Sequence, residues 1–171
     1  MKLLPSKITA AWVLLVLSSA FYARDLLAFL DRYLAPNDYL IWGSLLLFAL
    51  ILLTITRRVW PGGTLLIGEI LLLGLLAASL FEVSVERMHL VKYGVMGFFY
   101  SLDILKNNRS VPGKTALFLS TSFCALVAAT DESCQHFIPD RVGDLRDVGF
   151  GAVGGLWGAL IGVCLKRKGK L

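Results

Sequence analysis

Long apolar runs separated by short polar connections dominate the chain. They recur at about the length of a bilayer-crossing helix, roughly 20 residues, over residues 8–23, 39–56, 64–81, 88–105, 115–130 and 148–165. The first run sits behind Lys2 and Lys7 and resembles a signal peptide, with Ser18-Ser19-Ala20 as a cleavage site. With five further runs behind it, it reads as an uncleaved first helix. Residues 24–38 mix charges with Leu26, Leu27, Leu30 and Leu34 at helical spacing, which predicts a short helix lying in the membrane interface and ending near Pro36-Asn37. Tyr39 and Trp42 stand where interfacial anchors belong, and Arg57-Arg58 followed by Pro61-Gly62-Gly63 predicts a tight basic turn. In the last run Gly151/Gly155 and Gly154/Gly158/Gly162 are spaced by four, the pattern that lets helix backbones approach closely in lipid.

Composition supports this pattern. Hydrophobic residues make up 57% of 171 residues and mean hydropathy is +0.73, beyond an ordinary soluble domain. The predicted fold class is therefore all-α: a polytopic integral membrane helix bundle of about six transmembrane helices. No internal repeat or linker divides residues 1–171, which read as a single membrane domain. The net charge of +5 comes from short basic clusters between apolar runs, with no nucleic-acid-binding signature beside them. The N-terminus and alternate connections carry Lys2, Lys7, Arg57, Arg58, Lys106, Arg109, Lys114 and the KRKGK tail with no acid among them. The other connections dilute Arg24, Arg32, Arg87, Arg141 and Arg146 with ten acids, from Asp25 to Asp147. By the positive-inside rule both termini are cytoplasmic and the acidic connections face outward. Cys124, Cys134 and Cys164 make no disulfide framework.

Two outward segments concentrate chemistry. In the first, Glu86, His89 and Tyr93 are three and four apart and share a helical face, which Glu82 and Tyr100 extend; Lys92 lies beside them. The second runs from Asp131 to Asp147. There Asp131/Gln135 and Glu132/His136 are four apart on a continuing helix that Pro139 ends. Acids and imidazoles here suit general acid–base work, and Arg141 or Lys92 suits a phosphate or carboxylate. Glu86-x-x-His89 with Glu132, His136 or Asp131 has donors for a divalent metal. Two histidines without a ligand spacing commonly just hydrogen-bond, so neither metal nor cofactor is assigned. Asp131 and Asp147 also have a structural alternative, pairing with Arg141 and Arg146 to fold the loop. Glu69 and Asp103 are acids inside apolar runs, either paired with polar neighbours or marking a proton path.

At these segments the chain resembles the VanZ-like family of bacterial membrane proteins. Asp131, Glu132, Gln135, Phe137, Pro139, Arg141, Asp147, Gly154 and Gly158 match its D-E-x-x-Q-x-F-x-P-x-R motif with the following aspartate and glycines. His89 and Tyr93, preceded by Glu86, match the earlier one, so the resemblance covers about 81–165. Two positions depart: Gly151 stands where many members have Asn or Asp, and Cys134 where many have His.

The resemblance implies the cytoplasmic (inner) membrane, an envelope context and a link to teicoplanin, a lipid-tailed glycopeptide antibiotic; it supplies no reaction. On this reading the partners are membrane lipid and a lipid-linked wall precursor or lipoglycopeptide, with no nucleic acid. Candidate catalytic residues are His89, Asp131, Glu132, Gln135 and Asp147, and candidate ligand-binding residues are Glu86, Lys92, Tyr93 and Arg141. The rival reading is a small transporter or flippase that uses the intramembrane acids Glu69 and Asp103; an envelope scaffold without a small ligand is a third.

Overall fold

A computed structural model describes residues 1–33, 37–79, 84–108, 110–139 and 143–168. All regular structure in them is helical: α1 (Lys7–Tyr33), α2 (Asn37–Val59), a 3-10 turn (Pro61–Gly63), α3 (Thr64–Ser79), α4 (Ser84–Asn107), α5 (Gly113–Gln135) and α6 (Leu145–Lys168). Helix satisfies every backbone group internally, as an apolar solvent demands. Three of these helices are long and apolar enough to cross a membrane, over Lys7–Phe29, Gly113–Gln135 and Leu145–Lys166. The 16 residues of α3 rise about 24 Å, short of the roughly 30 Å hydrocarbon core. His89, Lys92 and Asp103 interrupt the apolar character of α4.

The separate interfacial helix expected over residues 24–38 is absent, because α1 continues unbroken to Tyr33. No Gly or Pro occurs between Ile8 and Tyr33, so nothing in the local sequence ends the helix where the charges begin. The expected turn after Arg57-Arg58 is present as the 3-10 turn.

Polar contacts fix which helix ends lie together. The Lys2 N–H donates to Asn108 Oδ1 (2.8 Å), and Asn108 Nδ2 donates back to the Lys2 carbonyl (2.8 Å). Ser6 Oγ caps the start of α1 by accepting from the Thr9 N–H (3.3 Å), and Asp103 Oδ2 anchors that cap by accepting from the Ser6 N–H (2.8 Å) and the Thr9 hydroxyl (2.6 Å). The N-terminal segment therefore sits at the end of the bundle where α4 stops. At the opposite end Arg87 Nε donates to the Ala78 carbonyl (3.3 Å), joining the end of α3 to the start of α4.

At the centre, α4 and α6 cross backbone against backbone. A methyl added at Gly158 would collide with the Gly94 carbonyl oxygen, and one at Gly97 with the Gly155 carbonyl oxygen. One at Gly154 would lie 2.9 Å from the Leu90 carbonyl oxygen. The glycine spacing of α6 thus forms a seam against α4. Trp157 leaves the same helix toward α3, where its indole N–H donates to the Ile70 carbonyl (2.8 Å) and its ring fills the space beside Gly74. The buried core divides around this crossing, with Leu45, Ile67, Leu71, Leu90 and Ile161 on one side and Tyr93, Met96, Cys124 and Ala128 on another. Leu14, Phe21, Leu47, Leu50, Leu65, Leu73, Phe118 and Leu126 face outward. Such a wide apolar surface is stable against lipid and not against water.

Candidate functional site

Asp131 and Glu132 lie in the last turn and a half of α5, where the partial negative charge of the helix end opposes a carboxylate. Both are buried. A pair of acids in that position needs counter-charge, and it comes from α4. Lys92 Nζ lies 3.5 Å from Asp131 Oδ2, and the Tyr93 hydroxyl donates to the same oxygen (3.2 Å). His89 is also buried and stacks on Tyr93, with ring centroids 5.9 Å apart, as the spacing of four allows. Its Nε2 faces Glu132 Oε1 at 3.6 Å and Asp147 Oδ2 at 3.9 Å.

The connection between α5 and α6 closes over this cluster. Gln135 Nε2 donates to Glu132 Oε1 (2.9 Å), and the Asp144 N–H donates to Glu132 Oε2 (3.0 Å). Gly143 is needed at this crossing, because a methyl there would lie 2.5 Å from the Glu132 carbonyl oxygen. Asp147 then falls in the first turn of α6, where the helix dipole favours a carboxylate. Outside the cluster, the backbone N–H and the guanidinium of Arg146 hold the Asp144 carboxyl below its ordinary range.

The two segments singled out in the sequence therefore meet. His89, Lys92, Tyr93, Asp131, Glu132, Gln135 and Asp147 converge at one end of α4, α5 and α6. Arg141 and Glu82 lie outside the described residues, and the side chain of Glu86 outside the described side chains. The expected pairing with Arg141 lies outside the described residues; among them, Asp131 meets Lys92 and Arg146 meets Asp144. His136, considered as a further donor, is exposed beyond the end of α5. Glu69 is exposed on α3. Asp103 lies 14 residues from His89 along α4, about 21 Å away at 1.5 Å per residue.

A cleft of about 420 Å³ opens beside the cluster, lined by Ala129, Glu132, Ser133, His136, Phe137, Gly143, Asp144, Leu145 and Val148. Glu132 belongs to both cluster and cleft, so the buried carboxylates connect to the outside through it. Phe137 and Leu145, 85% and 87% exposed, give the cleft an apolar rim. His89, Asp131 and Glu132 each bring one ligand atom within 4.8 Å of the others, the arrangement among the described residues that would hold a metal.

Sequence reasoning missed the parts that carry no charge. Gly143 and the Asp144 N–H position Glu132. Gly94 and Gly97, three apart, make the α4 side of the seam, and that spacing was a legible signal. The Trp12 indole N–H donates to the Lys92 carbonyl (2.8 Å) and ties α1 to the cluster's helix. A methyl at Gly151 would lie 2.7 Å from Ala128 Cβ and 3.2 Å from the Tyr93 ring, so a larger residue there would need α5 to shift.

No curated protein and no solved structure matches the chain. A family model does: VanZ/LLP1 matches residues 5–166, well beyond the segment 81–165 that carries the motifs. From its first helix to its last, this chain belongs to the VanZ/LLP1 family.

Proposed function

We propose that this is a six-span protein of the bacterial cytoplasmic membrane with both termini cytoplasmic. Its outward cluster engages a lipid-tailed component of the cell envelope, a lipid-linked wall precursor or a lipoglycopeptide such as teicoplanin. The observation that carries this reading is the cleft at Glu132. A buried set of acids, an imidazole and an amine borders a cavity whose rim is Phe137 and Leu145. A polar group entering the cleft meets charge at low dielectric, where pairing is less screened than in water. An attached acyl chain would run along the apolar rim into lipid, a fit that a free sugar lacks. The charge asymmetry of the connections supports the orientation. The motif residue Arg141 and Lys92 are the groups suited to an anionic head group.

The test is production in a susceptible Gram-positive host. Tolerance to teicoplanin should rise more than tolerance to vancomycin, which lacks the lipid tail. Arg141→Ala, Asp147→Ala and Glu132→Gln should each abolish the gain at unchanged membrane levels. Variants that protect as well as the parent would reduce the cluster to a structural clasp and end this reading.

A further inference from the structure

We propose that His89, Asp131, Glu132 and Asp147 form a binding site for one divalent transition-metal cation, zinc or manganese. The first argument is distance. His89 Nε2 stands 3.6 Å from Glu132 Oε1 and 3.9 Å from Asp147 Oδ2. Both separations are longer than a well-formed N–H···O hydrogen bond, which centres on about 2.9–3.0 Å. Donors about 2.0–2.1 Å from a tetrahedral metal stand roughly 3.4 Å apart, so these atoms need move only a few tenths of an ångström. With Asp131 included, the ligand atoms of His89, Asp131 and Glu132 lie within 4.8 Å of one another.

The second argument is an orphaned atom. Asp131 is fully buried, and its Oδ1 has no hydrogen-bond partner among the described residues. A buried carboxylate oxygen left this way is costly and needs an explanation. Its other oxygen is held by Lys92 and the Tyr93 hydroxyl, which fixes the carboxylate and leaves Oδ1 for another partner. Gln135 and the Asp144 N–H orient Glu132 similarly. Ligands steadied by outer hydrogen bonds are the mark of a metal centre.

The third argument is charge. Among the described residues Asp131, Glu132 and Asp147 bring three carboxyl groups to the site, with Lys92 Nζ 3.5 Å from Asp131 Oδ2. A divalent cation suits a site where carboxylates gather around an imidazole. Imidazole with carboxylates selects zinc or manganese over calcium, which takes six to eight oxygens. Since Glu132 also lines the cleft, an incoming ligand would reach the metal from that side. The site lies within the proposed functional cluster, yet the inference stands on donor geometry and needs no envelope ligand.

The experiment uses the tag-free full chain in detergent, stripped with a chelator, equilibrated with zinc or manganese and desalted. Elemental analysis should find about one equivalent of metal per chain, and chelation should lower the melting temperature. Asp131→Asn and His89→Gln should lose the metal. Lys92→Gln should keep it, because Lys92 orients a ligand without being one. Should Asp131→Asn fail to fold, Glu132→Gln and the parent's own metal-dependent melting carry the test. No retained metal and no thermal shift in the parent overturns the proposal, as does equal retention by His89→Gln and Asp131→Asn. A chain that protects its host without metal sinks only this inference. One that binds metal without protecting sinks only the envelope reading.

Discussion

Gly158→Ala tests the crossing on which the site depends. The added methyl would collide with the Gly94 carbonyl oxygen and would lie 2.9 Å from the Phe98 nitrogen. Both are backbone atoms of α4, so no side chain can rotate aside and the two helices must separate. Overpacking of this kind costs about 1–3 kcal/mol. Replacing a mid-helix glycine by alanine also returns about 1 kcal/mol of helix propensity, which would mask part of the effect. Gly149→Ala on the same helix supplies the correction, since nothing lies within 4 Å of a methyl there. The difference between the two variants isolates the overpacking cost. For a chain of this size each kcal/mol moves the melting temperature by about 2–4 °C. Gly158→Ala should therefore melt roughly 2–12 °C below Gly149→Ala in the same detergent. If the two melt together, α4 and α6 do not touch at this level and the seam is wrong.

Asp103→Ala leaves the Ser6 N–H and the part-buried Thr9 hydroxyl without their acceptor and should cost about 1–3 kcal/mol, read as a lower melting temperature, while drug tolerance persists. A transporter that uses Asp103 would instead lose function outright. Cys134 lies at the end of α5 beside the cluster, Cys124 is buried, and Cys164 lies near the far end of α6. An impermeant thiol reagent on cells with an accessible outer surface should modify Cys134 first; labelling of Cys134 only after lysis would invert the proposed orientation.

The helices were legible because lipid leaves the backbone few choices, and a run of apolar residues states its length directly. The end of α1 was not. Arg24, Asp25 and Asp31 suggested a change of environment, but charge does not break a helix, and no Gly or Pro stands between Ile8 and Tyr33 to do so. The polar residues of the site were legible because His89, Asp131 and Glu132 are expensive in an apolar chain. Their partners were not. Spacing puts His89 and Tyr93 on one face, but the Tyr93 hydroxyl bond to Asp131 depends on how α4 and α5 pack. Nearest-charge reasoning looked along the chain for the partners of Asp131, whereas the bundle also brings Lys92 from a different helix to it. The cleft was invisible for the same reason, since residues on two helices and their connection form it.

The seam and the cluster are one construction. Asp131 and Glu132 oppose the dipole of their own helix, and burial adds a second penalty. Both are tolerable only if α4 approaches closely enough to bring Lys92, Tyr93 and His89 against α5. That approach is set by α6, which packs on both helices. Gly155 admits Cys124 of α5, and Gly154 admits the backbone at His89 and Leu90 of α4. The same helix then delivers Asp147 from its first turn, within 3.9 Å of His89. A larger residue on the seam would push apart the charges that make the acids affordable, as well as loosening apolar packing. The glycines of α6 thus belong to the chemistry of the site although none carries a functional group.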